Sequence, residues 1–201
     1  MIILIITGGL MIRITGGEAK GRALKVFRGG QVRPTSDKVR QAIFNILEHR
    51  FDFDFDQSRV LDLYAGSGSL GAEFLSRGIN YLCAVESDQR TLRVLKDNLK
   101  LVQNAVVSSK PQVQVISKRV ERFLSTAPSL PYQLIIADPP YKEHLGPQIL
   151  EKLNPAWLDE DGIVVIEHEK KDVFVPPYGW NLNDRRLYGD TFVSFLSYSF
   201  F

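Results

Sequence analysis

Asp138, Pro139, Pro140 and Tyr141 stand in line behind the apolar run QLIIA. One proline is enough to end a strand, and an acid at the tip of a buried strand is costly without a partner. Two prolines fix the backbone and bring no N–H groups. The stretch therefore offers only acceptors: the Asp138 carboxylate and the carbonyls of Asp138 and Pro139. Such a row suits an exocyclic amino group on a nucleobase, which carries two N–H donors. Accepting those hydrogens draws the nitrogen lone pair out of conjugation with the ring and makes it a better nucleophile. Tyr141 supplies a flat face on which an extruded base can stack.

Upstream, the stretch DLYAGSGSLG sets Gly66, Gly68 and Gly71 in the pattern G-x-G-x-x-G. A turn of this kind follows a strand, opens a helix and lets backbone come close to a ligand. Glu86 lies twenty residues beyond Gly66, the spacing at which an acid can accept from both hydroxyls of a ribose. Together they read as a nucleoside-cofactor site. Asp62, at the end of the strand before the glycines, discriminates between cofactors. A carboxylate there repels the pyrophosphate that NAD must place at the helix start. It suits a ligand with a positive centre and an ammonium group, such as S-adenosylmethionine. An NAD-dependent oxidoreductase accounts for the glycines and Glu86 but not for Asp62 or DPPY. No G-x-x-x-x-G-K-[ST] stretch occurs, which excludes a phosphate-cradling P-loop.

These residues need a frame. RVLDLY, YLCAVE, VQVI, QLIIA and GIVVIE are short apolar strands. Between them SLGAEFLSRG, closed by Gly78, QRTLRVLKDNLKLV, VERFLST and HLGPQILEKL read as helices, the last interrupted near Pro147. Alternating strands and helices with continuous apolar strands predict a parallel sheet covered on both faces. The end breaks the pattern: RRLYGDTFVSFLSY alternates with period two around Gly189-Asp190, a hairpin signal. A mainly parallel seven-stranded sheet ending in an antiparallel pair results. Ahead of it, Val39, Ala42, Ile43, Ile46 and Leu47 share one face of a helix that follows Pro34 and is capped by Thr35 or Ser36. Lys38, Arg40 and Gln41 fall on its opposite face. Residues 11–34 are Gly-rich and basic, with short β-like pieces such as RALKVF.

The chain has 201 residues, 44% hydrophobic and 24% charged, with a net charge of +2. That suits one well-buried α/β domain with an appendage. The charge is unevenly placed. Between Arg13 and Arg40 eight basic residues face only Glu18 and Asp37, so this arm carries +6 and the remainder about −4. A basic arm on a mildly acidic body points to a polyanion, and nucleic acid above others. Cys83 is the only cysteine; it reads as a small core residue in a reducing compartment. His49, His144 and His168 lack ligand spacing, no H-E-x-x-H occurs, and all three read as surface residues with no metal among them. The opening MIILIITGGLM is too short to span a bilayer. Met11 reads as a natural start, with residues 1–10 as a mis-assigned or vector-derived extension.

DPPY after a fourth strand, with DLYAGSGSLG upstream, resembles the amino-methyltransferases that use S-adenosylmethionine. ITGGEAKGRAL and RPTSDKVRQAIFNIL narrow the resemblance to the RsmD family, which methylates N2 of a guanine in bacterial small-subunit (16S) ribosomal RNA. The resemblance covers about residues 11–198. DPPY is shared with DNA adenine and cytosine enzymes, whereas the RPT-x-D-[KR]-V-R block selects this family. The resemblance implies a Rossmann-like class I methyltransferase fold, with a basic extension over 11–50 and a catalytic domain over 51–201. It implies that Asp62, Tyr64, Ala65, Gly66, Ser67, Gly68 and Gly71, with Glu86, Ser87 and Asp138, hold S-adenosylmethionine. Asp138, Pro139, Pro140 and Tyr141 are then catalytic and hold the guanine. Arg13, Lys20, Arg22, Arg33, Thr35, Lys38 and Arg40 grip RNA. One departure stands out. The family often has Asp or Asn just after the third strand, where ISKRVERFL places Arg119. Either the backbone of Arg119 and Val120 reads the adenine, or the alignment shifts by one residue. The implied partner is ribosomal RNA, within a partly assembled small subunit, met by a cytoplasmic monomer that needs no membrane or metal. The rival readings are another RNA or DNA amino-methyltransferase and a non-catalytic RNA-binding module.

Overall fold

The apolar strands assemble into one seven-stranded sheet, and a two-stranded ribbon in the basic arm stands apart from it. The computed structural model describes residues 11–26, 37–140, 146–172 and 174–200. The ribbon is β1 (Ile12–Arg13) against β2 (Ala23–Leu24). The chain then runs through α1 (Asp37–Arg50), β3 (Arg59–Leu63), α2 (Ser69–Ser76), β4 (Tyr81–Glu86) and α3 (Gln89–Gln103). There follow β5 (Gln112–Ser117), α4 (Val120–Leu124), β6 (Tyr132–Ala137), α5 (Gly146–Lys152), β7 (Leu158–Glu169), β8 (Trp180–Tyr188) and β9 (Thr191–Tyr198). The strand order is β5-β4-β3-β6-β7-β9-β8. Strands β3 to β7 pair in parallel, and β9 runs antiparallel between β7 and β8. The chain grows outward from β3 first on one side and then, starting from β6, on the other. The β3/β6 boundary is therefore the switch point of this doubly wound sheet, where ligands sit beyond the carboxyl ends of the strands.

Alternation along the strands sorts the core into two layers. Val60, Ala84, Leu134 and Ile136 face α1, α2, α3 and the arm. Leu61, Leu63, Val85, Ile135 and Ala137 face α4 and α5. Cys83 is buried among the second set, and burial pushes its thiol up to about 11, as expected of an inert core residue. Helix α3 is a clear case of pattern becoming structure. Asp88 caps it, accepting from the N–H groups of Arg90 at 2.8 Å and Thr91 at 3.0 Å, which contributes about 1 kcal/mol. Leu92, Leu95, Leu99 and Val102 are buried along one face, each stabilising by roughly 1.5–3 kcal/mol.

Several expectations need correction. Helix α1 buries Val39, Arg40, Ile43, Phe44 and Leu47, while Ala42 and Ile46 are only half-buried. Arg40 is thus on the inner face, not beside exposed Lys38 and Gln41, because its position is in phase with Phe44 and Leu47. His168 is also buried, at 2% exposure. Its ring stacks on Phe174 with centroids 4.4 Å apart, and Nε2 lies 2.9 Å from the Ser194 hydroxyl. Pro147 falls in the first turn of α5, where a missing N–H breaks no helical bond. Strand β7 extends past GIVVIE at both ends, and a register shift between Tyr132 and Leu134 of its partner absorbs the polar start. Residues 1–10, the capping candidates Thr35 and Ser36, and His144 lie outside the described residues.

Candidate active site

Three strand ends bring the acids together. Asp62 is the penultimate residue of β3, Glu86 ends β4, and Asp138 follows β6. Registers Asp62↔Ala84 and Leu63↔Ala137 put these ends side by side. By alternation all three acids point toward the layer of α1–α3. Asp62 is 2% exposed, and its Oδ2 accepts from the Gly71 N–H at 3.2 Å. Burial raises its pKa to about 8; the Gly71 N–H works against this, and the charges of Asp138 and Glu86 push the same way as burial. The free protein therefore holds Asp62 largely protonated at neutral pH, beside two other carboxyl groups.

The glycine turn is built to approach both the acid and its own helix. A Cβ on Gly71 would lie 3.1 Å from Asp62 Oδ2 and 3.0 Å from Leu82 Cδ2. Gly68 adopts φ +79°, and a Cβ there would strike Leu95 Cδ1 at 2.5 Å. Glu86 closes the turn from the next strand. Its Oε2 accepts from the Gly66 N–H at 3.0 Å, and its Oε1 from the N–H groups of Ser87 at 2.6 Å and Asp88 at 2.7 Å. These bonds hold the carboxylate at the sheet edge; both lone pairs of Oε1 are used, and Oε2 keeps one for a ligand hydroxyl. Tyr64 takes φ +60°, Ala65 is buried, and Ser67 is half-buried within the turn, while Ser87 is exposed.

Strand β5 completes this side. Ser117 pairs with Glu86, so Lys118 and Arg119 leave at the same edge. Arg119 takes the N-cap position of α4; its side chain is 78% exposed and lies 3.8 Å from Glu121. Val120, the first residue of α4, is buried in the core beneath it. On the β6 side Asp138 is half-buried, Pro139 buried and Pro140 exposed. Tyr141 lies outside the described residues.

The arm residues divide. Arg13, Lys20, Arg22 and Lys38 are exposed, with Arg13 Nη1 donating to the Gly21 carbonyl at 2.9 Å. Arg33 and Thr35 lie outside the described residues. Arg40 does not belong with them. Its side chain is 0% exposed, and Nη2 donates to the Arg13 carbonyl at 2.8 Å and to Asp37 Oδ1 at 2.7 Å. Burial depresses its pKa, opposed by the charges of Asp37 and Glu73. A guanidinium spent on the backbone of the arm presents nothing to a phosphate.

Two buried polar residues went unnoticed in the sequence. Glu73 on α2, 0% exposed, accepts from the Thr15 N–H at 2.8 Å, the Thr15 hydroxyl at 2.7 Å and the Gly16 N–H at 2.7 Å. Asn98 on α3, 1% exposed, bonds both Lys25 and Ser67. Asn98 lies between the buried Leu95 and Val102 of α3, and a polar residue in that apolar phase is a signal that could have found it; the phase of Glu73 on α2 carries no such signal. Among the described residues no cluster of three or more His, Cys, Asp or Glu could hold a metal ion, and no helix is long and apolar enough to cross a membrane.

Residues 12–197 match the family described as Conserved hypothetical protein 95. YlbH of Bacillus subtilis (strain 168) is 37% identical over 163 residues, 80% of this chain and 84% of that one. The protein of Haemophilus influenzae named Ribosomal RNA small subunit methyltransferase D is 32% identical over 180 residues, 89% of each chain. The solved structure of a hypothetical protein from Thermus thermophilus superposes with a TM-score of 0.74 at 30% identity, covering 92% of this chain and 98% of that one.

Proposed function

This chain belongs to the Conserved hypothetical protein 95 family, and on that premise we propose that it transfers a methyl group from S-adenosylmethionine to the exocyclic N2 of a guanine in small-subunit ribosomal RNA. Relatives named for ribosomal RNA methylation support the substrate class. The observation that carries the reading is the convergence of Asp62, Glu86 and Asp138 on one sheet edge, close enough for two of the charges to raise the pKa of the third. The charges of Asp138 and Glu86 oppose ionisation of Asp62 and repel any pyrophosphate. A ligand bearing an ammonium and a sulfonium relieves that repulsion, so the donor set fits S-adenosylmethionine and does not fit NAD.

Asp62 and the turn from Tyr64 to Gly71 hold the amino-acid end of the cofactor, Glu86 and Ser87 the ribose, and the backbone at Arg119 and Val120 the adenine. When bound, the cofactor supplies an electrophilic methyl group on a sulfonium. The protein positions the amine that meets it. The Asp138 carboxylate and the Asp138 and Pro139 carbonyls accept the N2 hydrogens of the guanine, and Pro140 holds the turn rigid. Tyr141 stacks on the extruded base. Asp138, or water, takes the departing proton. Catalysis is by orientation and electrostatics, with no covalent intermediate on the enzyme.

Arg13, Lys20, Arg22, Arg33, Thr35 and Lys38 contact RNA phosphates; Arg40 braces the arm behind them. The arm is small for a specific RNA grip, so a partly assembled small subunit, met by a single copy of the enzyme in the cytoplasm, is the proposed substrate. Calorimetry tests the cofactor: S-adenosylmethionine and S-adenosylhomocysteine bind and NAD does not. Tritiated methyl transfer tests the acceptor. Label in small-subunit rRNA and none in duplex DNA is expected; the reverse would assign the chain to the DNA enzymes.

A further inference from the structure

We infer that Asn98 is a positioning residue that couples RNA engagement to cofactor binding. The side chain sits between the two parts that perform those tasks. Its Nδ2 donates to the Lys25 carbonyl at 2.8 Å and to the Ser67 carbonyl at 2.8 Å, while its Oδ1 accepts from the Lys25 N–H at 3.0 Å. The partners settle which end is which, because two carbonyls require the NH2 group and one N–H requires the oxygen. Both donor hydrogens are used. Ser67 lies in the glycine turn between Gly66 and Gly68, and Lys25 continues the ribbon of the basic arm directly after β2. One amide thus spans arm and turn, 73 residues apart from Lys25 and 31 from Ser67.

The surroundings make the link stiff. Asn98 is 1% exposed, between Leu95 and Leu99 of α3. The same leucines occupy the space a Cβ on Gly68 would need, so the turn packs directly against this helix. On the arm side Lys25 Nζ meets Asp97 at 3.2 Å, a contact exposed to solvent and too weak to carry the coupling alone. Any shift of the arm at Lys25 must lengthen a bond to Asn98 or drag the amide, and the amide's other hydrogen holds the Ser67 carbonyl. RNA bound to the arm therefore favours the turn geometry that holds the cofactor, and by linkage the bound cofactor favours the RNA-competent arm.

The inference rests on the reading of arm and turn given above, and the test separates the two. The dissociation constant of S-adenosylhomocysteine is measured by calorimetry with and without a saturating small-subunit rRNA transcript. In the natural protein RNA should tighten the cofactor product by about fivefold or more, within the usual range of allosteric couplings. In Asn98→Ala that ratio should fall to about one, as expected when the linkage is cut. A residue that only stabilises the fold would alter both binding constants and leave their ratio intact. Should Asn98→Ala fail to fold, Asn98→Leu fills the same volume, removes all three bonds to Lys25 and Ser67, and must collapse the ratio too. Binding of both ligands with no interdependence in the natural protein overturns the coupling alone. A ratio that survives in the folded variants overturns the role of Asn98. Failure of either ligand to bind the natural protein overturns the functional reading and the coupling with it.

Discussion

Asp62 is a carboxyl group whose ionisation the free protein opposes and a cationic ligand favours. Its folded pKa of about 8 lies above the ordinary value of 3.8. Stability from this group is fully present below the unfolded value and is lost as pH rises from about 4 through about 8. Binding of a cofactor head that sets an ammonium and a sulfonium against Asp62 favours the ionised carboxylate and releases a proton. Affinity for S-adenosylmethionine should therefore strengthen with pH, by up to about tenfold per unit, and level off above pH 8. Asp62→Asn should flatten that profile in a calorimetric titration; an unchanged profile would move the titrating group elsewhere. Asp138 makes a different demand. Asp138→Ala should lower the single-turnover methyl-transfer rate by about 10²–10³-fold. Cofactor binding should survive, since Asp62, Glu86 and the glycine turn remain, while the guanine amine loses its acceptor. Near-normal turnover would show that the amine is oriented by the prolyl carbonyls alone.

Helices α1, α2 and α3 show what could be read in advance and what could not. The strands β3 to β6, the helix α3 and the terminal hairpin follow from apolar runs, a single 3.6-residue period and a Gly-Asp turn, signals that local sequence carries unaided. The placement of Asp62, Glu86 and Asp138 follows from them, because parallel strands end on one edge. What was missed is polar and inward. Arg40, Glu73 and Asn98 each occupy a buried helical position, and a polar side chain there is usually taken for a solvated face. Their partners are backbone groups of the arm, at Arg13, Thr15, Gly16 and Lys25. Those contacts are set by how the arm folds back, which no local pattern specifies. Glu73→Ala strands three donors of Thr15 and Gly16 and should cost about 3 kcal/mol. Urea unfolding measures it directly: a lowered midpoint with an unchanged slope is expected, and an unshifted midpoint would mean that the arm is held without this carboxylate.

At the scale of the molecule, a basic arm is packed into the same hydrophobic layer as Val60 of β3 and Ala84 of β4, through Ile12, Ile14, Ala19 and Leu24. Its outward charges and its inward one should separate in a salt titration. Replacing Arg13, Lys20 and Arg22 together by alanine should reduce the slope of log affinity against log salt by about two, at roughly 0.7–0.9 per lost phosphate contact. Arg40→Ala should destabilise the fold and leave that slope unchanged; a reduced slope would return Arg40 to the RNA-facing surface. The central claim is the identity of the product. Small ribosomal subunits from a strain lacking this gene can be incubated with the purified protein and S-adenosylmethionine, and the nucleosides of their rRNA resolved by mass spectrometry. The account predicts N2-methylguanosine, approaching one per rRNA molecule, and about a hundredth of that or less in the same interval with Asp138→Ala. Methyl groups on another base, or equal yield with Asp138→Ala, would contradict it.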